Sequence, residues 1–362
     1  MDQEISKEKG SEDISSRKKE HIQKVLTENV QADYNYWDDI HLLHDCLPEI
    51  DFDDINTKIK LFGAELNVPL IVTGMVGGID EAEKINRNLA EACAKIGCGM
   101  GVGSQRIALE KPETRISFEV LKEFDIPLKI ANIGAPQIAS EKKLVTVDNI
   151  GELFDMIEAD ILAIHLNYLQ EAVQINGELR AKGVLKTIKE ICHIYPCIAK
   201  ETGAGISANG AQKLKKCGIK GFDISGVSGT SWAGVEYHIA KERNNKNKME
   251  LGKILWNWGI PAPVSVLEAD VGLPIIASGG LRNGLDIARA LVIGADCAGI
   301  ARILLKSATE SADKVVEQLE QIIEQLKIVM FLTNSKNIEE LKKRKAIVTG
   351  RTKEWLEQME SL

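Results

Sequence analysis

Eight short apolar runs recur along the chain, each closed by a Gly, Ser or Asn turn and followed by an amphipathic helical stretch. They fall at 70–75, 100–103, 128–132, 161–167, 197–200, 221–225, 274–278 and 297–301. Runs apolar on both faces are what parallel strands require when helices cover a sheet from each side. Helical patterns lie between them at 81–96, 113–124, 150–157, 184–193, 208–217 and 284–293. Eight such units over about 250 residues is the number at which a parallel sheet closes, so the expectation is an α/β fold of the TIM (β/α)8 barrel type. A doubly wound open sheet is the weaker alternative, because no G-x-G-x-x-G opens the first helix.

The flanks divide the rest of the chain. Residues 1–14 lack apolar periodicity and are expected to be a mobile tail. Residues 15–63, with an aspartate-rich stretch around Asp38, Asp51 and Asp54, are expected to form an arm capping the barrel of residues 64–335. The long amphipathic pattern at 311–332 either closes the barrel or packs on another subunit. A helical extension, charged over 337–344, is expected across 336–362.

A net charge of −8 argues against a broad nucleic-acid surface. No apolar run approaches the ~18 residues of a membrane span, and the polar first twenty residues lack a signal-peptide core, so the expected location is the cytoplasm. Seven scattered cysteines without metal spacing read as reduced, mostly apolar-core thiols.

Barrel chemistry sits where strands end, and here the ends are polar and glycine-rich. Each Gly-rich turn alone is an ordinary tight connection. Together, Ser278-Gly279-Gly280 and Gly299-Ile300-Ala301 follow the seventh and eighth runs, where barrels commonly bind phosphate. Lys200 offers a cation at the fifth, while Thr73, Ser104 and Asn132 offer short polar groups at the first three. These features describe a phosphorylated planar cofactor lying across the mouth. In His165-Leu166-Asn167-Tyr168-Leu169-Gln170-Glu171, alternation puts His165 and Asn167 on one side of the strand. His165 is either a hydrogen-bonded core residue or a catalytic one, and Glu171 either a Mg²⁺ ligand or a carboxylate in a helix first turn. The Arg17-Lys18-Lys19-Glu20-His21 cluster is either a solvated helix face or a clamp for an anion.

These residues carry a resemblance. Arg17-Lys18 with Glu20-His21, Met75-Val76-Gly77-Gly78, GVGSQR from Gly101, Asn132-Ile133-Gly134-Ala135, HLNYLQEAVQ from His165, Ser225 through Trp232, Trp258-Gly259-Ile260-Pro261 and Ser278-Gly279-Gly280-Leu281-Arg282 together resemble the type 2 isopentenyl-diphosphate isomerases, in order from about residue 15 to 305. The resemblance implies conversion of isopentenyl diphosphate to dimethylallyl diphosphate, with reduced FMN as acid-base cofactor, NADPH or NADH as reductant, and Mg²⁺. It implies FMN contacts from Thr73, Gly74, Met75, Ser104, Asn132, Lys200, Ser225, Thr230, Gly279, Gly280, Arg282 and Ala301. Arg17, Lys18, His21, His165, Asn167, Gln170 and Thr202 would bind substrate, Gln170 and His165 would be catalytic, and Glu171 would ligate the metal. A homo-oligomer, tetramer or octamer, is expected, with no nucleic-acid or membrane partner. The chain departs from the family pattern at Val76, where threonine is usual, at Ile175-Asn176-Gly177-Glu178 in place of Pro-Glu-Gly-Asp, and at Ala301-Arg302-Ile303, which lacks a common proline.

An FMN-dependent 2-hydroxy-acid oxidase is the nearest rival. It needs a histidine base and an arginine clamp in the late loops, and the later histidines, His193 and His238, fall at no expected strand mouth. A flavin-binding module without chemistry would not need the basic arm or the Gln170-Glu171 pair.

Overall fold

The computed structural model describes residues 16–139 and 145–360, so the tail expected at 1–14 lies outside the described residues. Eight parallel strands close into a barrel: β1 (Leu70–Val72), β2 (Gly99–Gly101), β3 (Lys129–Gly134), β4 (Ile161–Leu166), β5 (Cys197–Glu201), β6 (Gly221–Asp223), β7 (Ile275–Ala277) and β8 (Cys297–Ile300). Closure comes where β8 pairs with β1, Gly299 opposite Ile71. Strand residues are buried on both faces, as the unbroken apolar runs require.

Helix ends follow local signals. Helix Asp80–Ile96 opens with Asp80, Glu81 and Glu83 and stops at Gly97, whose φ of +76° is a left-handed cap. Helix Val147–Ile157 begins with a capping box between Thr146 and Asn149. Helix Ala312–Leu332 buries Val315, Leu319, Ile322, Leu326 and Met330, a three-to-four spacing, against helices Asp80–Ile96 and Gly284–Val292. Its main apolar stripe therefore closes the barrel between the last and first units.

Two expectations need correction. The helix expected over 113–124 is three short pieces, Pro112–Arg115, Ile116–Glu119 and Val120–Glu123. Asn86 Nδ2 donates to Ser117 O at 2.6 Å, competing for a carbonyl that a continuous helix would use internally. Cys46 is exposed rather than part of the core. The β6–β7 connection also holds three helices that no expected pattern covered, Trp232–Glu242, Lys246–Ile254 and Ala262–Glu268.

The segment preceding the barrel seals both ends. Residues 16–27 are helical and lie over the mouth. A hairpin, Ile59–Leu61 with Ala64–Leu66, plugs the opposite end, its Leu61 and Leu66 clustered with Ile71, Leu128 and Ile198 inside the barrel. The boundary drawn at 63/64 falls within this hairpin's turn. Strand Ile40–Leu42 pairs antiparallel with Ala346–Val348, joining the arm to the C-terminal extension.

Candidate active site

The strand ends open into two adjoining cavities under helix 16–27. The first, about 230 Å³, is lined by the β1, β6, β7 and β8 ends, including Thr73, Gly74, Met75, Ser225, Thr230, Gly279, Gly280, Arg282 and Ala301. The second, more open, is lined by Arg17, His165, Asn167, Gln170 and Glu171. Lys18, His21, Ser104, Lys200 and Thr202 line both and form the shared wall. Asn132, which the resemblance groups with the FMN contacts, lines the second cavity and lies beside Thr73, Gly74 and Lys200. Its Nδ2 donates to Val102 O at 2.8 Å, and its Oδ1 faces His165 Nδ1 at 2.7 Å.

The first cavity fits a phosphorylated heterocycle. Gly279 and Gly280 have φ of +88° and +89°, and a Cβ on either would stand 2.4 Å from a backbone oxygen, of Gly226 and Ser228 respectively. Only glycine lets these two turns meet. Helix Arg302–Glu310 starts beside them with no side-chain cap, leaving N–H groups for an anion. Arg302, not singled out from the sequence, lines the same end and donates to the Gln31 side-chain oxygen at 2.8 Å. Arg282 lines the cavity too, but its guanidinium is held by Asp38 at 2.7 Å and Asp286 at 3.0 Å. Lys200 Nζ, on the wall, pairs with buried Asp223 at 2.6 Å, and Asp223 also accepts from Ser278 Oγ.

The second cavity is built for an anion. Lys18 Nζ donates to Gly77 O at 2.7 Å and Ser104 O at 3.0 Å, tying the arm helix to two strand mouths. Burial pulls its amine down to about 7, with Arg17 and Arg106 adding repulsion. Arg106 crosses this cavity between Glu110 and Glu178, at 2.8 and 3.1 Å. Because Asn132 presents its carbonyl to His165, Nδ1 is the donor and Nε2 is left bare. Burial pushes this imidazole down to about 3, helped by Lys200 and Lys18, so it stands neutral until an anion arrives.

At the mouth of β4, Glu171 accepts from Asn167 Nδ2 at 3.0 Å and from Glu178 N at 2.7 Å, while burial raises its carboxyl above the usual range. Asn167 Oδ1 is buried with no hydrogen-bond partner. An orphaned amide oxygen beside a carboxylate is the hard donor set that suits Mg²⁺. Among the described residues no cluster of three or more His, Cys, Asp or Glu could hold a metal alone, so such an ion would need a ligand's own oxygens.

Glu236 is the principal residue that the sequence did not reveal. It is 2% exposed, on helix Trp232–Glu242, and its Oε1 accepts from His21 Nε2 at 2.8 Å and Gln170 Nε2 at 3.3 Å. Gln174 extends the network, its Nε2 3.3 Å from Glu236 Oε1 and its Oε1 2.9 Å from Arg17 Nη1. The helix of Glu236 carries no single apolar stripe that would have singled it out, since residues 233–236 are all buried. His193 and His238 both lie on helices rather than strand ends.

Comparison with known proteins agrees with this geometry. Residues 257–348 match a family described as FMN-dependent dehydrogenase. A mandelate oxidase carrying a monooxide FMN adduct superposes with a TM-score of 0.59 over 88% of this chain and 91% of that one, at 13% identity. Another mandelate oxidase structure gives 0.60 over 95% and 98%, at 12%. The fold and family match define an FMN-dependent β/α-barrel protein. Within that class the nearer likeness is to isopentenyl-diphosphate delta-isomerases. Those of Thermoplasma volcanium and Picrophilus torridus are each 46% identical over 95% of this chain and 99% of theirs, and that of Pyrococcus furiosus 43% over 94% and 89%. The chain belongs to the isopentenyl-diphosphate delta-isomerase family, in its type 2, FMN-dependent form.

Proposed function

We propose that the protein isomerises isopentenyl diphosphate to dimethylallyl diphosphate, with FMN in the first cavity and the diphosphate, neutralised by Mg²⁺, in the second. The observation that carries the reading is the shared wall: a glycine-lined cavity for a phosphorylated flavin abuts a cationic one containing an orphaned oxygen and a carboxylate. When bound, reduced FMN supplies an acid-base group near its N5, which few side chains could replace in protonating an unactivated alkene. Thr73, Gly74, Met75, Ser104, Lys200, Ser225, Thr230, Gly279, Gly280, Arg282 and Ala301 hold the flavin, with Asn132 acting through His165. Arg17, Lys18, His21, His165 and Thr202 bind the diphosphate, joined by Arg106. Glu171 and Asn167 face the cation. Gln170 lies beside the reacting carbons, oriented by Glu236. NADPH or NADH reduces the flavin, and the protein works in the cytoplasm as a homo-oligomer. Among the described residues no helix is long and apolar enough to cross a membrane.

The test is anaerobic incubation with FMN, a reductant, Mg²⁺ and labelled isopentenyl diphosphate. Labelled dimethylallyl diphosphate supports the reading. No product, or turnover of a 2-hydroxy acid instead, refutes it.

A further inference from the structure

Glu201 ends β5, is 8% exposed, and belongs to neither ligand set above. Its Oε2 accepts from three successive backbone amides: Thr202 N at 2.7 Å, Gly203 N at 2.8 Å and Ala204 N at 2.6 Å. Three donors converging on one oxygen fold residues 202–204 into a nest around an internal anion. The loop is then stitched outward, with Ile260 N donating to Ala204 O at 2.9 Å and Gly205 N to Ser225 O at 3.2 Å. A Cβ on Gly203 would lie 3.3 Å from Thr230 O and 3.6 Å from Trp232 Cδ1, so the loop backs directly onto residues lining the first cavity. Thr202, its first residue, faces both cavities.

We infer that Glu201 is a positioning residue, whose side chain serves as the template for loop 202–204 and so sets Thr202 against the diphosphate. The inference rests on the function proposed above and extends it to a residue that touches no ligand. Burial raises the Glu201 carboxyl to about 7, opposed by the three amides and Lys200. Protonation on Oε1 leaves Oε2 an acceptor, so the nest survives in either state.

The prediction separates binding from turnover. Glu201→Ala removes the acceptor, leaves three amides unpaired, and raises KM for isopentenyl diphosphate about tenfold, with kcat changed less than about threefold, as loss of contacts remote from the reacting carbons requires. Glu201→Gln keeps an acceptor oxygen and restores KM to within about threefold of the parent. An unchanged KM in Glu201→Ala, or equal damage in both variants, overturns the inference. A second measurement needs no variant and no activity. By hydrogen exchange in the unaltered protein, the amides of Thr202, Gly203 and Ala204 are strongly protected although they lie outside helix and strand. Exchange at free-peptide rates overturns the inference even if the variants misfold. A parent enzyme that fails to turn over isopentenyl diphosphate refutes the proposed function instead, and exchange then still decides whether Glu201 anchors the loop.

Discussion

At the scale of single residues, the active-site groups differ in what the fold has done to their charge. Lys18 falls to about 7 and His165 to about 3, so His165 is neutral in the free protein and Lys18 titrates near neutral pH. An arriving diphosphate raises both, and binding should draw protons from solution. Calorimetry in buffers of different ionisation heat should show this uptake; an enthalpy independent of buffer contradicts it. The same shifts act on folding. Relative to higher pH, the folded state loses stability through His165 as pH falls below the unfolded value near 6.5 toward 3. For Lys18 the cost is full below about 7 and fades as pH rises to about 10.5. Gln170→Ala should leave flavin bound, as read from its absorbance, while lowering isomerisation by at least about 100-fold; normal turnover removes Gln170 from the reaction. Glu171→Gln should shift the Mg²⁺ titration to higher concentration, and an unmoved titration rules out its role at the cation. His165, Gln170 and Glu171 could be grouped from the sequence because one strand and the short helix that follows it, Tyr168–Val173, carry all three. Glu236 was not, because its meeting with Gln170 spans 66 residues.

At the scale of elements, the strands could be read closely, since burial on both faces demands unbroken apolar runs. Helix Trp232–Glu242 was hidden because it uses two sides, turning Trp232 and Glu236 toward the site and packing against helix Lys246–Ile254, so no single apolar stripe marks it. The breaks flanking Ile116–Glu119 were hidden because the contact that takes up the Ser117 carbonyl comes from Asn86, on another helix. Where caps act locally their worth is predictable. Ser311 Oγ accepts from Lys314 N at the start of helix Ala312–Leu332, so Ser311→Ala should cost about 1 kcal/mol. Thermal denaturation should register this as a drop of about 2 °C, and an unchanged midpoint means the cap adds nothing.

For the whole molecule, the eight-unit rhythm was enough to imply closure, whereas the fastening of the two flanking segments to each other could not be read, because pairing across 300 residues leaves no local trace. Asp39 illustrates this: it accepts from Tyr34 OH at 2.6 Å and from both Thr352 N and Thr352 Oγ1 at 2.8 Å, beside the pairing of Ile40–Leu42 with Ala346–Val348. A chain stopped at residue 345 should still form the barrel yet release its leading segment to added protease, and equal resistance shows the fastening to be dispensable. During synthesis, the helix that roofs the mouth is made before the barrel, while the strand that clasps its connection is made after it. The clasp therefore forms only after all eight barrel strands have been made, and until then the leading segment is held by its contacts to the barrel alone.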